Sequence, residues 1–121
     1  MPKSVLTVDD SKTIRDMVSF TLKKAGYDVT EAADGSAGLA IASRQKFDCI
    51  ITDLNMPGLD GLALTKAIRA NPSNRATPIL LLTTETDPAK KAAGREAGAT
   101  GWLVKPFNPE KLVETVRKVC P

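Results

Sequence analysis

Apolar positions along the chain follow two alternating rhythms. Five short runs are continuously apolar or alternate with period two: Ser4 to Val8, Asp28 to Ala32, Cys49 to Thr52, Pro78 to Thr83 and Gly101 to Val104. Between and after them, apolar residues recur every three or four positions, as Ile14, Val18 and Leu22 do. The first rhythm predicts strands and the second predicts helices. The run Ile79-Leu80-Leu81-Leu82 has no polar face, as expected of a strand covered by helices on both sides.

Local signals set the helix ends. The first helix is predicted from about Ser11 to Ala25, with Gly26 stopping it. Asp34 can cap the second, and Leu64 and Ile68 mark a third that is expected to end near Asn71-Pro72. Asp87-Pro88 and Asn108-Pro109 each place a capping side chain before a proline at the first helical position. Gly98 closes the fourth helix, and Leu112, Val113 and Val116 form the buried stripe of the fifth. Alternating β and α segments imply an α/β fold with a doubly wound, five-stranded parallel sheet and right-handed crossovers. With 121 residues and no repeat, low-complexity tract or linker, residues 1–121 are expected to form a single domain.

Composition narrows the function classes. Hydrophobic residues make up 42% and charged residues 26%, ordinary values for a folded water-soluble chain. No apolar run approaches the ~18–20 residues that cross a bilayer, and the N-terminus lacks a signal-peptide cleavage pattern. A cytoplasmic location without a membrane partner is expected. The net charge of +3 is spread over single basic residues and the pairs Lys23-Lys24 and Lys90-Lys91, with few aromatics between them. That distribution reads as solvated helix faces, not a nucleic-acid surface. The chain has no histidine. Ser-His-Asp and Cys-His nucleophile systems and histidine metal ligation are therefore excluded, as is a phosphohistidine donor. Cys49 lies in an apolar run and reads as core, and Cys120 has no metal-ligand companions, so neither thiol is assigned a role.

In open parallel sheets, ligands bind beyond the carboxyl ends of the strands. Those ends carry Asp9-Asp10, then Asp53 with Leu54-Asn55-Met56-Pro57-Gly58, then Thr83-Thr84-Glu85, then Lys105-Pro106-Phe107. Three carboxylates on one rim repel unless a cation offsets them, and an open, oxygen-rich, water-accessible site suits Mg²⁺. Lys105 adds a positive charge and Thr83 a hydroxyl. Together they form a clamp for an anion with several oxygens, as phosphoryl transfer requires, with Asp53 placed as the attacking carboxylate. Each signal alone is weak, since an Asp pair after a strand commonly caps a helix and a Lys-Pro commonly marks a loop. Their joint occurrence, each after the appropriate strand, is specific.

Over essentially its full length the chain resembles the response-regulator receiver domains, and within them the stand-alone chemotaxis regulators. The motifs are Asp-Asp, Asp-x-Asn-Met-Pro-Gly, Thr-Thr and Lys-Pro-Phe. The resemblance implies the flavodoxin-like (βα)5 strand order 2-1-3-4-5. It implies Asp9, Asp10 and Asp53 as Mg²⁺ ligands, together with the backbone carbonyl of Asn55, whose side chain would tune dephosphorylation. It further implies Asp53 as phosphoacceptor, Thr83 as switch hydroxyl, Lys105 as the phosphoryl-contacting lysine and a cis Lys105–Pro106 bond. Trp102 falls where the family usually has a tyrosine or phenylalanine that swings inward on activation. Indole is larger and has only an N–H donor, and a half-buried sheet-edge aromatic is the alternative. The small residues Ala89, Ala92, Ala93, Gly94 and Ala97 leave the fourth helix with two readings, a weakly anchored switch element or close packing on the sheet.

The implied function is a monomeric switch, not an enzyme. It would be phosphorylated by a chemotaxis-type histidine kinase, reset with or without a phosphatase, and would act on the flagellar motor switch or another protein. The stretches Asn-Met-Pro-Gly-Leu-Asp-Gly and Thr-Glu-Thr-Asp-Pro-Ala-Lys-Lys are similar to those of chemotaxis regulators. A phosphate sink or relay intermediate is the alternative within the family. An aspartate-nucleophile phosphohydrolase would want an acid two residues after its nucleophile, where this chain has Asn55. A flavodoxin-like carrier would want a hydroxyl- and glycine-rich loop where this chain has Asp9-Asp10.

Overall fold

The computed structural model describes residues 2–84 and 87–120. Glu85 and Thr86, which belong to the rim and motif residues named above, lie outside the described residues. In chain order the elements are β1 (Ser4–Val8), α1 (Lys12–Lys24), β2 (Asp28–Ala32), α2 (Gly35–Arg44) and β3 (Cys49–Asp53). They continue with α3 (Gly61–Arg69), β4 (Ile79–Thr83), α4 (Pro88–Ala97), β5 (Gly101–Val104) and α5 (Pro109–Val119). All strand pairings are parallel, in the expected order β2-β1-β3-β4-β5.

The hydrophobic pattern explains the layering. Every residue of β3 and β4 is buried, as strands without a polar face require, whereas β2 at the edge leaves Asp28 and Glu31 exposed. Side chains alternate across the sheet. Val5, Cys49, Ile51, Leu80 and Leu82 meet Val18 and Leu22 of α1 and Leu112 and Val116 of α5. Leu6, Ile50 and Ile79 meet Ala42 of α2 and Leu64 and Ile68 of α3 on the other face. Each fully buried Leu or Ile contributes about 1.5–3 kcal/mol relative to exposure. Among the described residues the cysteines are free and buried in the first of these clusters. The neighbouring Cys120 thiol and burial push Cys49 well above an ordinary thiol.

Each helix starts on a side-chain cap. Ser11 Oγ accepts from Ile14 N at 3.3 Å, Asp34 from Ala37 N at 2.8 Å and Asp60 from Ala63 N at 2.9 Å. Asp87 accepts from Ala89 N at 2.9 Å and Asn108 from Glu110 N at 2.8 Å. Gly98 ends α4 at φ +105°, in the left-handed region that glycine adopts without strain. Two strand limits differ by one residue from the apolar runs. β3 runs through Asp53, which pairs with Leu82. β4 begins at Ile79, because Pro78 has no N–H, although its carbonyl still accepts from Ile50 N at 2.9 Å. α3 ends at Arg69 with Ala70 as its cap, next to Asn71-Pro72 as expected.

The loops at the end of the sheet away from Asp53 are tied together by two side chains. Asn74 Oδ1 accepts from Phe47 N at 2.8 Å and from Thr77 Oγ1 at 3.0 Å. Its Nδ2 donates to the carbonyls of Ala42 at 2.6 Å and Gln45 at 2.8 Å. Arg69 donates to the carbonyls of Gly98, Thr77 and Arg75 at 3.0, 2.7 and 3.0 Å.

Candidate functional site

At the carboxyl end of β1 the main chain turns into α1, and this turn fixes Asp9. Ser11 N donates to Asp9 Oδ1 at 2.9 Å, placing the carboxylate at the positive end of the helix. Arg15, one turn into α1, donates to the Asp9 carbonyl at 2.7 Å and sits 3.6 Å from Glu31. Asp9 is 1% exposed, while its neighbour Asp10 faces solvent.

Asp53 ends β3 and is 6% exposed. The loop beyond it passes through buried Met56 and Gly58, whose φ of +76° side-chain-bearing residues rarely adopt. It returns at Gly61, whose N–H donates to the Leu54 carbonyl at 2.9 Å. A Cβ on Gly61 would run into the Asp53 carbonyl oxygen and lie 2.8 Å from Leu54 Cα. A glycine there lets the first turn of α3 close against the strand end that carries Asp53.

Thr83 ends β4, and Lys105 N donates to its carbonyl at 2.8 Å, so the two strand ends stay in register. The Lys105–Pro106 bond is cis, as expected. Lys105 Nζ lies 3.1 Å from Asp9 Oδ2 and 3.3 Å from Asp53 Oδ1. Asn55 Nδ2 donates to Thr83 Oγ1 at 3.3 Å across the mouth.

Asp9, Asp10 and Asp53 each bring a carboxylate oxygen into one group spanning no more than 4.8 Å. One ammonium cannot offset three such charges. Burial pushes the Asp53 carboxyl up from its ordinary range, and the Asp9 carboxylate adds to this. Lys105 and a main-chain hydrogen bond at Asn55 oppose it. Asp9 Oδ2 is buried and has no hydrogen-bond partner, because its approach to Lys105 is ionic and lacks hydrogen-bond geometry. A buried anionic oxygen with unfilled lone pairs, beside two further carboxylates and open to water on the Asp10 side, fits a hard divalent cation with oxygen ligands.

The predicted residues Asp9, Asp10, Asp53, Asn55, Thr83 and Lys105 thus converge. Trp102 stands apart. It pairs with Leu81, two residues before the Thr83–Val104 pair, and is half-buried against α4. A Cβ on Gly94 would meet Leu81 Cδ1 at 2.9 Å and Trp102 Cζ3 at 3.1 Å, so α4 packs closely on this strand and its indole. Sequence patterns did not single out Ser11, Arg15 or Gly61 as parts of the site. The Ser11 N-cap and the glycine after Asp60 were the available signals.

The same arrangement recurs among known proteins. Residues 5–117 match the response regulator receiver domain family. The chain is 37% identical over 116 residues to the chemotaxis protein CheY-3 of Vibrio cholerae, covering 95% of this chain and 89% of that one. The solved structure of Vibrio cholerae CheY4 superposes with a TM-score of 0.95 at 55% identity, covering 98% and 99% of the two chains. The receiver domain of the Pseudomonas aeruginosa sensor histidine kinase PA1611, solved with magnesium in its active-site cleft, superposes at 0.92 with 31% identity, covering 99% and 98%. The chain spans about half the length of the curated transcriptional regulators it also matches. Matched across nearly all of its length and carrying the acidic rim and lysine where the strands end, this chain belongs to the response regulator receiver domain family.

Proposed function

We propose that Asp53 accepts a phosphoryl group from a phosphohistidine on a histidine kinase. An Asp53 carboxylate oxygen attacks phosphorus, the P–N bond breaks as the P–O bond forms, and the electron pair leaves with the imidazole nitrogen. The observation that carries this is the setting of Asp53, buried to 6% exposure yet 3.3 Å from Lys105 Nζ and grouped with Asp9 and Asp10 at the rim. Lys105 can pass its contact from carboxylate to phosphoryl oxygen without leaving the site. Asp9, Asp10, Asp53 and the backbone carbonyl of Asn55 would hold Mg²⁺, whose charge when bound offsets the carboxylates and the incoming phosphoryl oxygens. The Asn55 side chain carries no transferable proton, which leaves dephosphorylation slow and suits a signalling protein better than a phosphohydrolase.

The same reading extends to output in the cytoplasm. A hydrogen bond from Thr83 to the new phosphoryl oxygens draws the loop after β4 inward and biases the surface formed by α4, β5 and α5. Trp102 rearranges with that surface. The likeness to CheY4 over the whole of both chains supports a chemotaxis-type kinase and the flagellar motor switch as partners. The phosphoryl group would be shed spontaneously or with a phosphatase.

Incubation with a phosphorylated histidine kinase and Mg²⁺ should leave an acid-stable, alkali-labile label that Asp53→Asn abolishes. A fully labelled Asp53→Asn would end the assignment. For output, the phosphorylated form should bind a motor-switch segment about 5- to 150-fold more tightly, the usual range of such coupling. Thr83→Ala should keep the label and lose most of that gain. Equal binding of both forms would replace the motor reading with a phosphate sink or relay.

A further inference from the structure

Arg15 is not a member of the acidic rim, yet it holds the turn that carries two of the three carboxylates. Its Nη1 donates to the Asp9 carbonyl at 2.7 Å, from one helical turn beyond the N-cap Ser11. That carbonyl belongs to the planar peptide unit joining Asp9 to Asp10, so a hydrogen bond to its oxygen bears on the placement of both Cα atoms. Asp9 has further ties. Its N–H donates to the Ala32 carbonyl at 3.1 Å, and its Oδ1 accepts from Ser11 N at 2.9 Å. Asp10 is exposed, and among the described residues its side chain makes no hydrogen bond or ion pair. The main chain behind Asp10 therefore aims its carboxylate into the group formed with Asp9 and Asp53, and Arg15 holds that main chain.

The guanidinium is itself held. Arg15 Nε lies 3.6 Å from Glu31 Oε1 on β2, and Glu31 pairs with Thr7 of β1, two residues before Asp9. One edge of the guanidinium faces the β2 carboxylate while another donates to the turn. A planar fork divides its donors in this way, and a compact ammonium does not. Charge alone would argue against an arginine here, because a guanidinium beside a cation site repels the incoming ion. A residue acting by its charge would weaken cation binding, whereas one acting by its hydrogen bond would strengthen it. The two effects have opposite signs, so removing Arg15 separates them.

We propose that Arg15 is the positioning residue of the cation site, holding the Asp9–Asp10 peptide so that both carboxylates converge with Asp53. That role presupposes the Mg²⁺ site proposed above and extends it to a side chain that touches neither the cation nor the phosphoryl group. Glu31 serves it in turn by orienting the guanidinium.

The test is calorimetric titration of MgCl₂ into wild type, Arg15→Ala and Arg15→Lys, with Asp10→Ala as the control for the site. Arg15→Ala should raise the dissociation constant about tenfold, the lower end of what losing an outer partner costs a metal site. Arg15→Lys keeps the charge and reaches one of the two partners, so it should recover part of that loss. In chelator, hydrogen exchange at the Ser11 N–H of Arg15→Ala should quicken relative to the Ile50 N–H, which donates to the Pro78 carbonyl at the far end of the sheet. An Arg15→Ala chain that binds Mg²⁺ as tightly as wild type, or more tightly as charge alone requires, overturns the proposal and leaves the cation site standing. Exchange that quickens equally at Ser11 and Ile50 marks an ordinary loss of stability and also overturns it. If wild type binds no Mg²⁺, or Asp10→Ala binds it equally well, the cation site itself fails and the role of Arg15 falls with it.

Discussion

At the loop end of the sheet, Asn74 makes four hydrogen bonds to main chain and side chain across two loops and the end of α2, and Arg69 donates to four carbonyls. At the opposite end, Asp9, Asp10 and Asp53 crowd within 4.8 Å, and Asp9 Oδ2 is buried without a hydrogen bond. Both ends bury polar groups beneath the same kind of apolar sheet. One saturates them from within the chain, and the other leaves part of its demand to whatever arrives from solution. Stability and chemistry are thereby placed at opposite poles of one small domain, which is the trade expected where a site must respond to a ligand.

Substitutions at each pole should separate these roles. The largest effect belongs to the saturated end. Asn74→Ala leaves the Phe47 N–H and the Ala42 and Gln45 carbonyls without their partner and should cost about 3 kcal/mol in urea unfolding, with 1–3 kcal/mol typical per orphaned buried group. Labelling per folded molecule at Asp53 should not change. Loss of labelling in proportion to stability would erase the contrast.

Next comes the acidic end, read through its missing charge. Mg²⁺ at one hundred times its dissociation constant should stabilise the wild type by about 2.7 kcal/mol. Thermal melts with and without chelator would show this, and Asp10→Ala should need a higher concentration for the same shift. A stabilisation equal in wild type and Asp10→Ala would place the cation elsewhere.

The smallest effect is the most pointed. In chelator, Asp53→Asn should be more stable than wild type by roughly 0.5–2 kcal/mol, since a crowded carboxylate has been removed. The sign with pH follows from the raised folded-state pKa of Asp53. Wild-type stability from this group is fully present below its ordinary value of 3.8 and is lost as pH rises through the higher folded value. The advantage of Asp53→Asn should therefore grow from acid toward neutral pH. An advantage that shrinks over that range would mean the site already compensates Asp53.

The two poles were also unequally legible in the sequence. The strands Ser4–Val8, Asp28–Ala32 and Gly101–Val104 followed from pattern alone, because a buried parallel sheet writes itself as short apolar runs. The acidic rim was legible because its members share one place, the carboxyl end of a strand. Asp53 falls outside the apolar run Cys49 to Thr52, yet its place at the carboxyl end of the third strand was legible from the pattern of strand ends. Arg69 and Asn74 left no such trace. Apart from the Thr77 hydroxyl, their partners are main-chain carbonyls and amides as far as 32 residues away, and any residue type supplies those. Arg15 was hidden for the same reason, since it binds the Asp9 carbonyl and not its carboxylate. Gly61 became significant only once α3 was seen closing on Asp53.

The contact between Gly94 and Trp102 reaches beyond this one molecule. A mid-helix glycine costs about 1 kcal/mol against alanine, yet here alanine would have to displace either the indole or Leu81. Positions 94 and 102 therefore cannot drift independently. Among relatives, a smaller ring on β5 should go with alanine or a larger residue at the α4 position, and tryptophan with glycine. A double-mutant cycle should return a non-zero interaction energy between them. Divergence at an ordinary helix position would then be paced by an aromatic on the neighbouring strand, and the two substitutions would enter a lineage as a pair.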